Sequence, residues 1–461
     1  MPTSDQELEL CLRVLREAAS WPGDDPRTLA LEQAAAGLRK LARDKRRQER
    51  KDAQRAQDLD VMGRAAMHAS APYEDADAQP DDSVGELHHA RLCYVCKTSY
   101  KKIHKFYRDL CLDCARENWS HREARADLRG RRGLVTGGRT KIGYACALKL
   151  LRDGAEVLVT TRFPKSAAER FAKEPDFAAW RARLSLVGLD LRDVGAVLRL
   201  CAGLRAGPAL DFLIHNAAQT VQRPPAYHRA QARRELEAPP TPLLWEPARS
   251  SEALRLASAG TLAPIHADLG AFHRACSDAP DDPHFPPHAL DVEGEPLDLR
   301  PRNTWRLKLD EVEPWECAEV WLVNVLAPFV INGQLRERLA ASRFEDRYIV
   351  NVSAVEGQFS YLNKTAHHPH TNMAKAALNM MTRTSAQDYA DDGIYMTSVD
   401  TGWITDENSE AVRAKLREQH FLPPLDVVDA AARLYHPIVR GVAHGERLFG
   451  VFLKDYKPCP W

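Results

Sequence analysis

The chain has no excess of charge of either sign: 64 Lys and Arg stand against 64 Asp and Glu in 461 residues. A balanced chain sets up no global field that draws it to nucleic acid or an anionic membrane, so any electrostatic partner has to be recognised locally. It also lacks an uninterrupted run of about 20 apolar residues, the length a membrane-spanning helix needs. Its first residues, MPTSDQELEL, lack the basic start and apolar stretch of a secretory signal. These absences point to a soluble cytoplasmic protein with no membrane partner. Cysteine is sparse as well, at 10 residues, too few in a chain of this length for a disulfide scaffold.

What is present falls into segments, and the length suffices for more than one domain at about 100–200 residues each. Residues 1–67 read as a helical region, with Leu8, Leu10, Leu12, Val14 and Leu15, then Leu31, Ala34, Leu38 and Leu41, supplying apolar positions at helical spacing. From Arg39 to Arg55 nine basic residues meet three acidic ones with no aromatic residue among them, which describes a solvated helix face better than a nucleic-acid surface. Residues 68–88 are acidic, turn-rich and poor in large apolar groups, so they read as a linker.

Residues 89–125 form a small module. Cys93, Cys96, Cys111 and Cys114 follow the pattern C-x2-C-x14-C-x2-C, in which two tight loops bring four thiolates around one structural zinc ion. Tyr100, Phe106, Tyr107 and Leu110 supply the apolar cover, and His104 is left out of a shell that four sulfurs already complete. The module is a candidate surface for a protein partner.

From Arg131 onward the pattern changes. Gly133-Leu134-Val135 leads into TGGRTKIG, residues 136–143, then into a helical stretch and a second strand, GAEVLVTTR. Strand, glycine turn, helix and strand are half of a dinucleotide-binding unit: Gly137 lets the chain turn, Gly143 lets helix and strand approach, Ile142 lies between them, and the helix N-terminus faces the pyrophosphate. The second strand ends in Thr160, Thr161 and Arg162, with no acidic residue to receive ribose hydroxyls. Arg162 with Arg139 and Lys141 instead surrounds a 2′-phosphate, which favours NADP. Asp190 and Leu191, at the end of a third strand, are placed beside the adenine. The expected fold class is α/β, a Rossmann-type doubly wound parallel sheet over residues 131–461, preceded by the helical region and the four-cysteine zinc module.

These motifs resemble the short-chain dehydrogenase/reductase family. Its glycine signature is similar to TGGRTKIG, with Lys141 where the middle glycine usually stands. Its Asn-Ala-Gly stretch resembles His215-Asn216-Ala217-Ala218, its structural asparagine Asn324, its active-site serine Ser353 and its helix lysine Lys375. The resemblance places Asn216 and Lys375 at the cofactor, with Thr401 and Thr405 in the turn after the sixth strand. It also implies a tyrosine four residues before Lys375, and this chain has Thr371. A threonine hydroxyl is far less acidic than a phenol and is poorly matched to proton transfer near neutral pH. Two replacements stand in the stretch after Ser353: Tyr361, a phenol, and His370, whose imidazole titrates in the right range.

An insertion at about residues 222–315 separates the fourth strand from Asn324. Its centre, rich in Pro, Asp and His, reads as an extended loop. Trp321 reads as a core residue. Two functions compete: an NADP-dependent oxidoreductase acting on a small carbonyl or alcohol substrate with an atypical proton donor, and a catalytically silent NADP-binding sensor or protein-interaction adaptor. A homo-oligomer is compatible with either.

Overall fold

The computed structural model describes residues 4–68, 83–246, 269–291, 294–360, 362, 364–404 and 407–461. The chain divides into two compact units, Met1–Asp113 and Cys114–Trp461.

In the first unit the expected helices are Asp5–Ala18 and Pro26–Gly63. Ser4 starts the first with a reciprocal capping box to Glu7, and Asp25 caps the second by accepting from the Arg27 N–H, each satisfying a donor that a helix start leaves open. The first helix buries none of its residues and the second only Met62, so Leu8, Leu12, Leu38 and Leu41 lie exposed. Two antiparallel strands follow, β1 (Ser83–Leu92) and β2 (Ser99–His104). Strand β1 therefore begins inside the stretch that reads as a linker; residues 69–82 of that stretch lie outside the described residues. The Asp58 carboxylate accepts from the His88 N–H at 2.6 Å, tying the long helix to β1.

The second unit is built on one sheet. Its strands are β3 (Arg132–Thr136), β4 (Glu156–Thr161), β5 (Leu184–Gly188), β6 (Phe212–His215), β7 (Arg347–Ser353), β8 (Ile394–Asp400), β9 (Phe452–Lys454) and β10 (Lys457–Cys459). They lie in the order β10-β9-β8-β7-β6-β3-β4-β5, all parallel except the β9–β10 hairpin. Successive residues of a strand face opposite sides, and both sides are covered. Val135, Ile214 and Val350 meet Cys146, Leu150, Leu434 and Ile438 of helices Lys141–Arg152 and Val427–His444. Leu134, Leu213 and Ile349 meet Leu200, Leu204, Ile331 and Leu335 of helices Val194–Arg205 and Ala327–Ala340. The chain reverses its winding between β3 and β6, and the carboxyl ends of these strands open the crevice in which such sheets hold ligands.

The insertion is more ordered than the sequence suggests. Helix Pro225–Glu237 packs on a second helix, Leu269–Ser277, inside the stretch read as a loop. The helix is held by Phe272 and Cys276, packed with Phe163 and Ala232, and by His273, whose Nε2 lies 2.7 Å from the Arg162 carbonyl; elsewhere in the insertion Arg223 and Arg300 both pair with Asp298. Further on, Leu186 N–H donates to Leu243 O and Trp245 N–H to Leu186 O, so this segment lines the outer edge of β5. Trp321 is 38% exposed and Trp315 79%, which corrects the core reading of Trp321: its helix turns that side to solvent. The stretch Pro314–Ala340 has the length and apolar content to cross a membrane, yet it buries Val320, Ile331, Leu335 and Leu339 against the rest of its unit.

At Gly133 an added Cβ falls 1.9 Å from the Phe212 ring. Gly133→Ala is expected to cost about 1–3 kcal/mol through overpacking; an unchanged denaturant midpoint would contradict this account of β3 and β6.

Candidate functional site

The crevice starts at the turn after β3. Gly137 adopts φ 70°, in the left-handed region, and a Cβ there would lie 2.9 Å from Ala217. A Cβ on Gly143 would lie 2.3 Å from Gly137 O and 2.4 Å from Asn216 Nδ2. Both glycines are thus required by close approach, at the start of the helix Lys141–Arg152. Asn216 laces the two sides of the switch point, its Nδ2 donating to Thr136 O at 3.2 Å and Gly137 O at 3.0 Å. The Ala217 N–H donates to Thr136 Oγ1 at 3.1 Å. Thr140 precedes the helix without a side-chain cap bond, so the first-turn N–H groups face the crevice with the positive end of the helix dipole. Ile142 packs against the core behind them. Lys141 stands where the resembled signature has glycine and keeps that residue's conformation, φ 53°, with its amine 4.0 Å from Glu407.

The ribose end differs from the sequence expectation. Arg139 is held in a two-pronged pair with Glu295 of the insertion, at 2.6 and 2.7 Å. Asp190 is enclosed by Arg192, which meets both carboxylate oxygens, and Leu191 is buried in the core. Arg162 is half-buried at the end of β4 and forms no ion pair among the described residues. Its guanidinium lies 3.5 Å from His228 Nε2 and 5.1 Å from the centre of the Phe272 ring. Sequence reasoning missed Glu295, His228 and Phe272, because nothing local to the insertion says which strand end it will cover.

At the other end, Ser353 closes β7 and Lys375 lies on the helix Pro369–Asp391. Ser353 Oγ donates to Lys375 O at 3.3 Å, and Lys375 Nζ donates to Val352 O at 2.7 Å. Burial pushes the Lys375 amine down to about 8, with Glu356 and Asp400 opposing the shift. Asn324 sits at the centre of a π turn, Leu322–Leu326, and exchanges two bonds with the Gln219 backbone, accepting at 2.7 Å and donating at 3.0 Å. A π turn widens the helix by one residue, and here it brings the asparagine to the loop after β6. Asp400 accepts from the Val355 and Gly402 N–H groups, each at 2.8 Å, which fixes the turns after β7 and β8 together; Thr401 lies between them.

His370 is buried with Nε2 3.4 Å from Glu316 Oε1, in the seam between its helix and helix Pro314–Trp321; this corrects its reading as a side chain available to a substrate. Thr371 is buried, and its hydroxyl has no hydrogen-bond partner among the described residues. Tyr361 and Thr405 lie outside the described residues. A cleft of about 330 Å³ lined by Asn303, Arg306, His367 and Ser409 opens beside the start of this helix.

The cysteines form a separate cluster. Cys93 and Cys96 sit in the turn between β1 and β2, where the Cys93 N–H donates to Thr98 O and the Lys97 N–H to Cys93 O, with Lys97 at φ 61°. Cys111 and Cys114 sit at the start of helix Leu112–Glu123. All four sulfurs lie within 4.8 Å of one another, and those of Cys96 and Cys111 are 3.7 Å apart. Four sulfurs at about 2.3 Å from one zinc ion are spaced by about 3.8 Å, so the donor set and its size fit that metal. Ile103, Phe106, Tyr107 and Leu110 are buried around it.

Parallel order, switch point and glycine turn define a Rossmann-type α/β fold, and residues 132–237 match the family described as short chain dehydrogenase. The chain belongs to one family with Uncharacterized protein R665 of Acanthamoeba polyphaga mimivirus, to which it is 33% identical over 382 residues, 80% of this chain and 75% of that protein. A Probable oxidoreductase of Streptomyces lividans is 43% identical over 91 residues, 20% of this chain and 29% of its own length. Among solved structures, the Pseudomonas aeruginosa RhlG/NADP active-site complex is similar with a TM-score of 0.44 and 18% identity, over 71% of this chain and 95% of that one. The NADPH-bound carbonyl reductase from chicken fatty liver has a TM-score of 0.44 and 19% identity, over 72% and 100%.

A left-handed conformation costs a residue with a Cβ about 1–2 kcal/mol. Lys141→Gly is therefore expected to stabilise the chain by about 0.5–1 kcal/mol after the larger unfolded-state entropy of glycine is subtracted; a lower unfolding midpoint would reject the strain.

Proposed function

We propose that the second unit is an NADP-dependent oxidoreductase for a small carbonyl or alcohol substrate, and that the four cysteines hold a structural zinc ion. The observation that carries the first reading is the joint placement of Ser353 and Lys375 at the end of β7 with Asn324 in its π turn. The turn from Gly137 to Gly143 would hold the pyrophosphate, Asn216 and Thr401 would line the crevice, and Arg162 would meet the 2′-phosphate. When bound, the cofactor supplies or accepts the hydride. Ser353 orients the substrate oxygen, and Lys375, whose lowered pKa lets it exchange a proton near neutral pH, holds a proton beside it. Asn324 keeps the loop after β6 in place. The cleft at Arg306 and His367 is the substrate side.

Thr371 favours a second reading, an NADP-binding sensor or adaptor without turnover. The discriminating experiment follows NADPH oxidation against a panel of small aldehydes and ketones in the native chain and in Thr371→Tyr. Turnover in the native chain that is lost in Lys375→Met supports the enzyme. No native turnover, with activity appearing in Thr371→Tyr, supports the silent reading, because only the phenol was missing.

For the cysteines, four sulfur donors in paired turns match the tetrahedral preference of zinc. One zinc per chain is expected by elemental analysis, falling below about half an equivalent when Cys93 and Cys111 are both replaced by serine. A native chain purified without chelator at less than half an equivalent would overturn the assignment.

A further inference from the structure

Glu295 is brought to the dinucleotide crevice by the insertion. Its side chain is 11% exposed and that of Arg139 is 13% exposed. Burial alone would raise the Glu295 carboxyl, but the Arg139 guanidinium beside it outweighs this and holds its pKa below the usual range. Both oxygens are engaged by Arg139, and Gln231 Nε2 donates to one of them at 3.4 Å. A two-pronged guanidinium–carboxylate pair out of water is a strong, directional contact, and it presents to Arg139 the same chemistry as a phosphate.

Arg162 lies in the same cluster but has no such partner. Burial pushes its pKa down, with Asp190 opposing and Arg192 and Arg139 adding to the fall. Asp190 is itself engaged by Arg192, and His228 is held well below its ordinary pKa by burial and by the surrounding arginines, so it stays neutral. Asp190 is already taken up by Arg192, so this half-buried cation has no carboxylate in direct ion-pair contact among the described residues, the anion that such a site calls for.

We infer that Glu295 is a specificity-determining residue for the cofactor: by holding Arg139 it withdraws one of the two arginines that face a ribose 2′-phosphate, and it leaves Arg162 to read that group alone. The inference rests on the proposed NADP reading and adds to it a determinant outside the glycine turn and outside β4. It means that discrimination between NADPH and NADH is held below what the two arginines would give together, and that the insertion controls it.

The test is titration of the full chain with NADPH and with NADH, followed by cofactor fluorescence. Glu295→Gln keeps the shape and removes the charge. It is expected to tighten NADPH by about tenfold, one charge-assisted contact, while NADH changes less than about twofold. Adding Arg139→Met to Glu295→Gln should erase the gain, which separates release of Arg139 from a general loosening of the insertion. Should Glu295→Gln fail to fold, Glu295→Asp shortens the side chain, weakens its hold on Arg139 and should give a smaller gain of the same sign. An unchanged NADPH to NADH ratio overturns the inference and leaves the cofactor reading standing. A loss of NADH affinity also overturns it, since Glu295 would then be receiving ribose hydroxyls. If neither dinucleotide binds the native chain or Glu295→Gln, the cofactor reading falls and takes the inference with it.

Discussion

The second unit depends on one close approach, that of the turn after β3 to the loop after β6. A parallel sheet that reverses its winding leaves a gap at the reversal, and the backbone groups lining it need partners. Asn216 closes the gap by donating to two carbonyls across it, and Gly137 and Gly143 allow the contact because neither carries a Cβ. Were any of the three larger, the helix start at Lys141 would be displaced, and with it the dipole that makes the crevice attractive to an anion. The strand ends that carry Arg162, Asp190 and Ser353 are aligned by the same sheet, so the geometry at both ends of the crevice follows from this one contact.

Apart from a small apolar cluster of Ala232, Phe272 and Cys276 on Phe163, the described part of the insertion is ordered by pairing. Arg139 with Glu295, Arg223 and Arg300 with Asp298, and Lys165 with Glu235 are all contacts between charged side chains or from a charged side chain to the backbone N–H of its partner. Single exposed pairs of this kind contribute little. Half-buried and shared, they fix position more than they add stability, and breaking one leaves a charge out of water. A segment anchored this way can be specific in where it sits while staying poor in apolar residues.

This explains which parts were legible in the sequence. The glycine turn, the strands with continuous apolar runs, the helix at Val427–His444 and the cysteine spacing are local patterns, and each reads directly from neighbouring residues. Ser353, Lys375 and Asn324 were found through resemblance, and the structure brings the first two into contact through backbone carbonyls. The choice of partner was not legible. Arg139 is one residue of a glycine turn and Glu295 lies 156 residues later; nothing in either stretch announces the other. The same holds for His370, whose imidazole lies 3.4 Å from Glu316 across a helix seam, and for Trp321, where helical spacing alone could not say which side faces water.

The strip of backbone from Leu243 to Trp245 that runs along β5 bears on how the edge of the sheet is covered. An open sheet has two edges, and each is a row of unpaired donors and acceptors that another chain can join. At one end the short β9–β10 hairpin turns the sheet back antiparallel and ends it; at the other the insertion lies along β5 and takes two of its backbone groups. An insertion that looks like an accessory to the binding crevice is thus also a guard on the sheet. A chain trimmed to the usual short connection between β6 and β7 would keep its crevice and bare a flat parallel edge, trading a covered strand for a template on which further copies can stack.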